Sequence, residues 1–427
     1  MKQLIINSYN KLKETNILSN FFNLSSIQIS NIVLIFLTIR LITGVVGLAE
    51  FGIITFAYKF SQFAGAIINY GTNQSAVKDV AHHITDTSKL SSAINNTLCI
   101  RAVIFMLYII ILLILPIILS VFPLFPIAYY WYILYSIPIA LAEVFNPLCF
   151  FLGAEKLKLF NIYNLLFNVI AVLTLLFFIK SPANALWVNF ILGVGNIITY
   201  LVLLAYFGAF FKLSYNLPLK SEMLKTAKDN FYLTVNNVSG NLQQSLVLFA
   251  LATWSNASVM GAYSICDRVI AQCRGFLIIV SNAIYPNAVH LYKQSGNLWN
   301  AYRKKAKRII AIGALVGAIL IFILADFIVY ILAKQHDETA VLFLRIMAFV
   351  PVVSAFNVLN VIDQLIKNNV IYIFRIAVIM FVIAAFVAFI LSYIGNYILI
   401  GASTLIIEAC SLLIYEYTIK KTAIQNA

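Results

Sequence analysis

Apolar residues in this chain neither alternate nor recur at one-face helical spacing over most of its length; they run on. Stretches such as VIFMLYIIILLILPIILSVF (103–122) and IIAIGALVGAILIFILADFIVYILA (309–333) are nearly free of charge. A helix that crosses a bilayer needs roughly 20 such residues. The windows predict twelve spans, at about 24–45, 51–73, 98–121, 127–152, 161–179, 184–208, 230–252, 259–285, 307–332, 339–362, 371–393 and 397–419. A membrane β-barrel would show shorter, alternating segments instead. Composition agrees: 62% of residues are hydrophobic and 10% charged, more apolar surface than a water-soluble domain can hide. The expected fold is an all-α polytopic membrane protein.

The longest polar connection, KLSYNLPLKSEMLKTAKDN (212–230), falls near mid-chain and separates six expected spans from six. Shifting the second half back by 209 positions sets Gly261 on Gly52 and Arg268 on Lys59, so that MGAYSICDRV faces FGIITFAYKF. In both segments a glycine near the helix start is followed seven residues later by a cation. The pattern predicts a duplicated unit: a six-helix lobe at 1–209, a connecting loop at 210–229, and a second lobe at 230–427. Six is even, so the lobes are parallel repeats about an axis normal to the membrane, with a central cavity between them.

Charge adds an orientation. Lys78, Lys89, Lys156, Lys158, Lys212, Lys220, Lys225, Lys228, Lys293, Lys367 and the run RKKAKR (303–308) lie in or beside alternate loops, joined by Lys2, Lys11, Lys13, Lys420 and Lys421 at the termini. The opposite loops offer Lys180 and Lys334. The excess of basic residues on one side predicts that both termini face the cytoplasm. It also accounts for most of the net charge of +14 without a nucleic-acid partner. The polar N-terminus lacks a cleavable signal pattern. The five cysteines form no CxxC pair, so neither a metal site nor a disulfide framework is expected. No nucleotide-binding signature is present, and no cofactor is expected.

Charges inside the spans carry the chemistry, because an ionised side chain at mid-bilayer costs about 2.5–3.5 kcal/mol and faces a cavity or a partner. The candidates are Arg40, Lys59, Glu143, Asp267, Arg268, Arg274, Asp326, Arg345 and Glu408. Arg40, Asp326 and Arg345 are near span ends, where a long side chain can snorkel. Asp267 and Arg268 are neighbours in sequence and do not face one another on a helix, so Asp267 should pair with another helix. Polar residues continue the cations at steps of three and four: Lys59, Gln62 and Asn69; Arg268 and Gln272; Asn237, Asn241 and Gln244. Hydrogen-bonded glue between helices would explain one such stripe. Three stripes with two deep cations point to a hydrated cavity between spans 1, 2, 7 and 8. Its charge is mostly positive, which favours an anionic substrate such as a phosphate.

Three segments then resemble bacterial polysaccharide flippases of the Wzx type, within the multidrug/oligosaccharidyl-lipid/polysaccharide transporter superfamily. They are RLITGVVGLAEFGIITFAYKFSQFAGAIINYGTNQSAVKDVA (40–81), VFNPLCFFLGAEKLK (144–158) and GAYSICDRVIAQCRGFLIIVSNAIYPNAVHLYK (261–293). Thr72 stands where that family usually has Phe, and FFLGAEK lacks its common Gln. The resemblance implies two six-helix lobes forming a V. It implies transport, without catalysis, of undecaprenyl-diphosphate-linked oligosaccharide, an O-antigen or capsule repeat unit, from the cytoplasmic to the periplasmic leaflet of the inner membrane. A polysaccharide polymerase and a chain-length regulator are the protein partners it implies. By helix position it places essential cations at Arg40, Lys59 and Arg268. With Arg274, Gln62, Asn237, Asn241 and Gln272 these form the expected substrate-binding set. Glu143, Asp267, Asp326 and Glu408 are the candidate carboxylates for coupling to an ion gradient. Two alternatives stay open. A multidrug or cation antiporter of the same fold should line its cavity with carboxylates, the reverse of this balance. A membrane polysaccharide polymerase or ligase should carry a large outward loop, and the outward loops here are short.

Overall fold

The computed structural model describes residues 17–425 apart from residue 368. Lys2, Lys11 and Lys13 lie outside the described residues, as do the side chains of Lys420 and Lys421. The first half comprises α1 (Ile17–Val46), α2 (Leu48–Asn69), α3 (Thr72–His83), α4 (Thr87–Val121), α5 (Ala128–Tyr135), α6 (Ile137–Phe145), α7 (Leu148–Gly153), α8 (Leu157–Phe178) and α9 (Trp187–Phe211). The second comprises α10 (Lys220–Trp254), α11 (Ala257–Gln294), α12 (Gly296–Ile323), α13 (Ala325–Ala333), α14 (Glu338–Met347), α15 (Val350–Ile366), α16 (Val370–Ile394) and α17 (Tyr397–Gln425). Among the described residues there is no strand.

Ten helical segments among the described residues are long and apolar enough to cross a membrane. The two other expected spans fall on helices of a different kind. α1 is apolar over Ser30–Val46, and α10 is 35 residues long but carries NNVSGNLQQS through its middle. The fourth span is broken into α5, α6 and α7, with Pro138 at the first turn of α6 and Pro147 just ahead of α7. The tenth is broken likewise, with Pro351 opening α15. Proline lacks the N–H that would continue a helix and is tolerated in a first turn. Side-chain caps start other helices: Asp86 accepts from the Lys89 amide, Asn256 from Val259 at 2.9 Å and Asp337 from Ala340 at 2.7 Å.

The packing partners repeat between the halves. α1 lies on α8 as α10 lies on α16, and α2 on α6 as α11 on α14 and α15. α6 lies on α9 as α14 and α15 lie on α17. The outward faces are apolar: Ile110, Leu113 and Ile117 on α4, and Ile312, Val316 and Ile319 on α12, are exposed. Such a continuous apolar surface requires lipid around it.

The halves meet where α2 crosses α11. Gly52 and Gly261, the two glycines that the 209-residue shift superposes, face each other at this crossing. A Cβ on Gly52 would lie 2.6 Å from the Gly261 nitrogen, and one on Gly261 would overlap the Leu48 carbonyl oxygen. Small residues let membrane helices approach this closely, where dispersion can hold them. Beside the crossing, Arg40 of α1 donates to the Ile331 carbonyl of α13 at 2.6 Å, and the Thr43 hydroxyl donates to that of Leu332. These contacts close the end of the bundle opposite the basic loops.

Candidate functional site

Between the α2–α11 crossing and the basic end, where the start of α10 meets the first half again at Gly71, Ser92 and Asn96, the bundle is hollow. The second part of α2, with α6, α9 and α10, encloses a cavity of about 440 Å³ lined by Gln62, Asn69, Asn73, Glu143, Asn237 and Asn241 among others. A second cavity of about 410 Å³, between α1, α2, α8 and α9, is lined by Asn31, Asn164, Asn168 and the Arg268 side chain. The two share Tyr58, Asn196 and Tyr200. Both lie mainly within the first half, whereas the stripes pointed to the space between spans 1, 2, 7 and 8. Beyond the first cavity, rings fill the space between α2 and α10: Phe56 lies 5.8 Å from Phe249, with Phe60 and Phe63 also against Phe249.

Lys59 and Arg268, equivalent in the two repeats, have different surroundings. Lys59 Nζ is 3.7 Å from Asp267 Oδ2, with both side chains under a fifth exposed. Asp267 thus pairs across to α2, as its position on the helix required. Arg268 forms no ion pair among the described residues. Its guanidinium carbon lies 5.3 Å from the Phe51 ring centroid and 5.4 Å from that of Tyr58. Ring faces attract a cation without neutralising it, so Arg268 presents to the second cavity a positive charge that no ion pair holds among the described residues.

Glu143 of α6 accepts from Asn146 Nδ2 at 3.0 Å and reaches the cavity through the room left by Gly65. Gln62 donates to the Tyr58 hydroxyl at 3.0 Å, Gln74 to Asn237 at 3.5 Å, and the Asn241 amide to the Asn237 carbonyl at 2.9 Å. Gln272 is half-buried on α11. Other candidates stand apart. Arg40 is engaged at the closed end. Arg274 pairs with Glu408 of α17 at 3.0 Å, inside the second half. Asp326 is exposed beside His336, 3.1 Å away. None of these four lines either cavity. Among the described residues no cluster of His, Cys, Asp and Glu suits a metal ion.

Sequence reasoning missed Arg101. It is fully buried near the start of α4. It donates to the Asn146 carbonyl at 2.6 Å, the Thr72 hydroxyl at 2.9 Å and Cys149 Sγ at 3.5 Å. Near a span end it reads as a residue that snorkels, and nothing local distinguishes it. Asn164 with Asn168, and Asn196 with Tyr200, were also missed, although each pair has the four-residue spacing of one helix face. Outside the membrane spans, a third cavity of about 450 Å³ lies between α3, the start of α4 and the start of α10. There burial raises the Asp79 carboxyl above its usual range, against the pull of His83, His82 and Lys78.

Comparison with known proteins follows this geometry. Residues 17–291 match the family described as polysaccharide biosynthesis protein. A putative O-antigen transporter of Escherichia coli (strain K12) is 23% identical over 271 residues, 62% of this chain. The match spans 63% of that relative's length. Among solved structures, an inward-facing multidrug resistance MATE family transporter of the MOP superfamily superposes with a TM-score of 0.74 at 14% identity, covering 92% of this chain and 96% of that one. The lipid II flippase MurJ, in an inward closed conformation, superposes with a TM-score of 0.73 at 12% identity, covering 93% of this chain and 87% of that one.

Proposed function

The chain belongs to the polysaccharide biosynthesis protein family, and on that premise we propose that it is a flippase for undecaprenyl-diphosphate-linked oligosaccharide. The fold does not choose between drug and lipid-linked cargo, since both kinds of transporter superpose equally well. Cavity chemistry supports lipid-linked cargo. The observation that carries the reading is Arg268, a guanidinium at membrane depth beside the Phe51 and Tyr58 rings and in no ion pair among the described residues. A diphosphate supplies the missing negative charge and matches the bidentate geometry of guanidinium. The amide-rich lining supplies donors and acceptors for a sugar head. The lipid tail stays in the bilayer between lobes 1–209 and 230–427.

The cavities lie on the basic-loop side of the α2–α11 crossing, which suits cargo arriving from the cytoplasmic leaflet, with both termini cytoplasmic and the chain in the inner membrane. Export then requires the α2–α11 crossing and the Arg40–α13 contact to open. Lys59, held by Asp267, joins the diphosphate once that pair loosens. Asp267 and Glu143, which face Lys59 and the cavity, are the coupling carboxylates this reading favours over Asp326 and Glu408. A polymerase and a chain-length regulator take up the delivered unit.

A strain lacking the gene provides the test. Its lipids should accumulate diphosphate-linked single units on the cytoplasmic leaflet while surface polymer is lost, and the gene should restore both. Intact surface polymer with no accumulation overturns the reading and directs attention to drug efflux.

A further inference from the structure

The second cavity has a composition that the diphosphate alone does not explain. Asn164 and Asn168 stand one turn apart on α8, facing Asn196 of α9 across the space that Arg268 enters. Helix α8 is otherwise strongly apolar over this stretch (LLFNVIAVL). An amide at membrane depth costs free energy unless it finds a hydrogen-bond partner. Interhelical glue would show these amides bonded to one another. Among the described residues, Asn164, Asn168 and Asn196 have no hydrogen-bond partner, whereas Asn69 and Asn146 in the neighbouring cavity are bonded to protein groups. Each free carboxamide offers two N–H donors and an acceptor oxygen. Val172 and Leu192 provide an apolar wall beside them.

We infer that this cavity is a subsite for uncharged sugar residues, hexoses or N-acetylhexosamines, of the transported unit. The inference rests on the flippase reading above and narrows it. Hydroxyl and acetamido groups pair with carboxamides in either direction, and the sugar's C–H faces suit the apolar wall. A volume of about 410 Å³ lies in the range of small-ligand sites. An acidic sugar does not suit it. Arg268 is the one charged side chain lining this cavity among the described residues, and the diphosphate occupies it. A uronate entering here would lose its hydration with no cation to replace it.

The test is binding to the purified full chain in lipid nanodiscs, with three probes: polyprenyl diphosphate without sugar, the same lipid carrying a neutral N-acetylhexosamine unit, and one carrying a uronic acid. The wild-type chain should bind the neutral-sugar lipid more tightly than the bare lipid, and the uronate lipid no more tightly than the bare one. Asn164→Leu with Asn168→Leu should weaken binding of the neutral-sugar lipid about tenfold and leave bare-lipid binding unchanged. That unchanged binding serves as the control for folding, and Asn196→Leu tests the opposite wall in the same way. Equal binding of all three lipids, or a preference for the uronate, overturns the subsite and leaves the flippase reading standing. Failure of the wild-type chain to bind any diphosphate lipid overturns both.

Discussion

Lys59 and Arg268 occupy equivalent places in the two repeats, seven residues after the glycines at the α2–α11 crossing, yet only one has a carboxylate partner. Lys59 is held by Asp267 at 3.7 Å. Arg268 rests on two aromatic rings. The difference lies in what each helix brings. α11 carries Asp267 to Lys59, whereas α2 carries Phe51 and Tyr58 to Arg268. Positions related by the 209-residue shift thus both carry a charge but differ in its availability. One cation is held by a carboxylate; the other lines the second cavity without an ion-pair partner among the described residues.

The largest effect expected from this contrast is at Arg268. Arg268→Ala should abolish surface polysaccharide at undiminished membrane expression when supplied to a strain lacking the gene. Arg268→Lys should restore it only in part, because an ammonium neither stacks on two rings nor contacts a diphosphate in bidentate fashion. Full polymer from the alanine variant would show that the unmasked cation is not the anchor.

A second expectation concerns the crossing that sets the two cations opposite their partners. Gly261→Ala places a methyl group against the Leu48 carbonyl. Backbone cannot yield cheaply there, and overpacking of this kind costs about 1–3 kcal/mol. Gly240 of α10 has nothing within 4 Å of where its Cβ would sit. Gly240→Ala should therefore be neutral or stabilise by up to about 1 kcal/mol through helix propensity. Thermal unfolding in detergent measures both, and equal melting temperatures would refute the close crossing.

The Gly52–Gly261 contact was legible in the sequence as a register, because repeat symmetry brings equivalent residues together at an axis. The depth of Lys59, Asp267 and Arg268 was legible as well, since a charge in an apolar run stands out against its neighbours. Arg101 was not: its partners are backbone carbonyls and a hydroxyl brought in by the turn after α2 and the break between α6 and α7. The α6–α7 break depends on Pro147, whose effect on a span is visible only once the helices are placed. The cavities also draw on spans 4, 5 and 6, beyond the four that the stripes marked, for a related reason. Polar stripes mark faces, and Phe56, Phe60 and Phe249 decide which faces close.

The smallest expected effect separates masking from binding at Lys59. Lys59→Ala leaves Asp267 without its cation at membrane depth, and the loss should lower stability by about 1–2 kcal/mol, the pair being loose and partly hydrated. Adding Asp267→Asn removes the stranded charge, so the double variant should recover most of that stability; the double-mutant cycle then isolates the pair's own contribution. Transport gives the decisive reading. If Lys59 served only to neutralise Asp267, the double variant would regain polymer export along with stability. If Lys59 also receives the diphosphate after Asp267 lets go, the double variant is stable and still defective. The geometry favours the second outcome, since a counterion alone does not require a second cation in register with Arg268 across the glycine crossing.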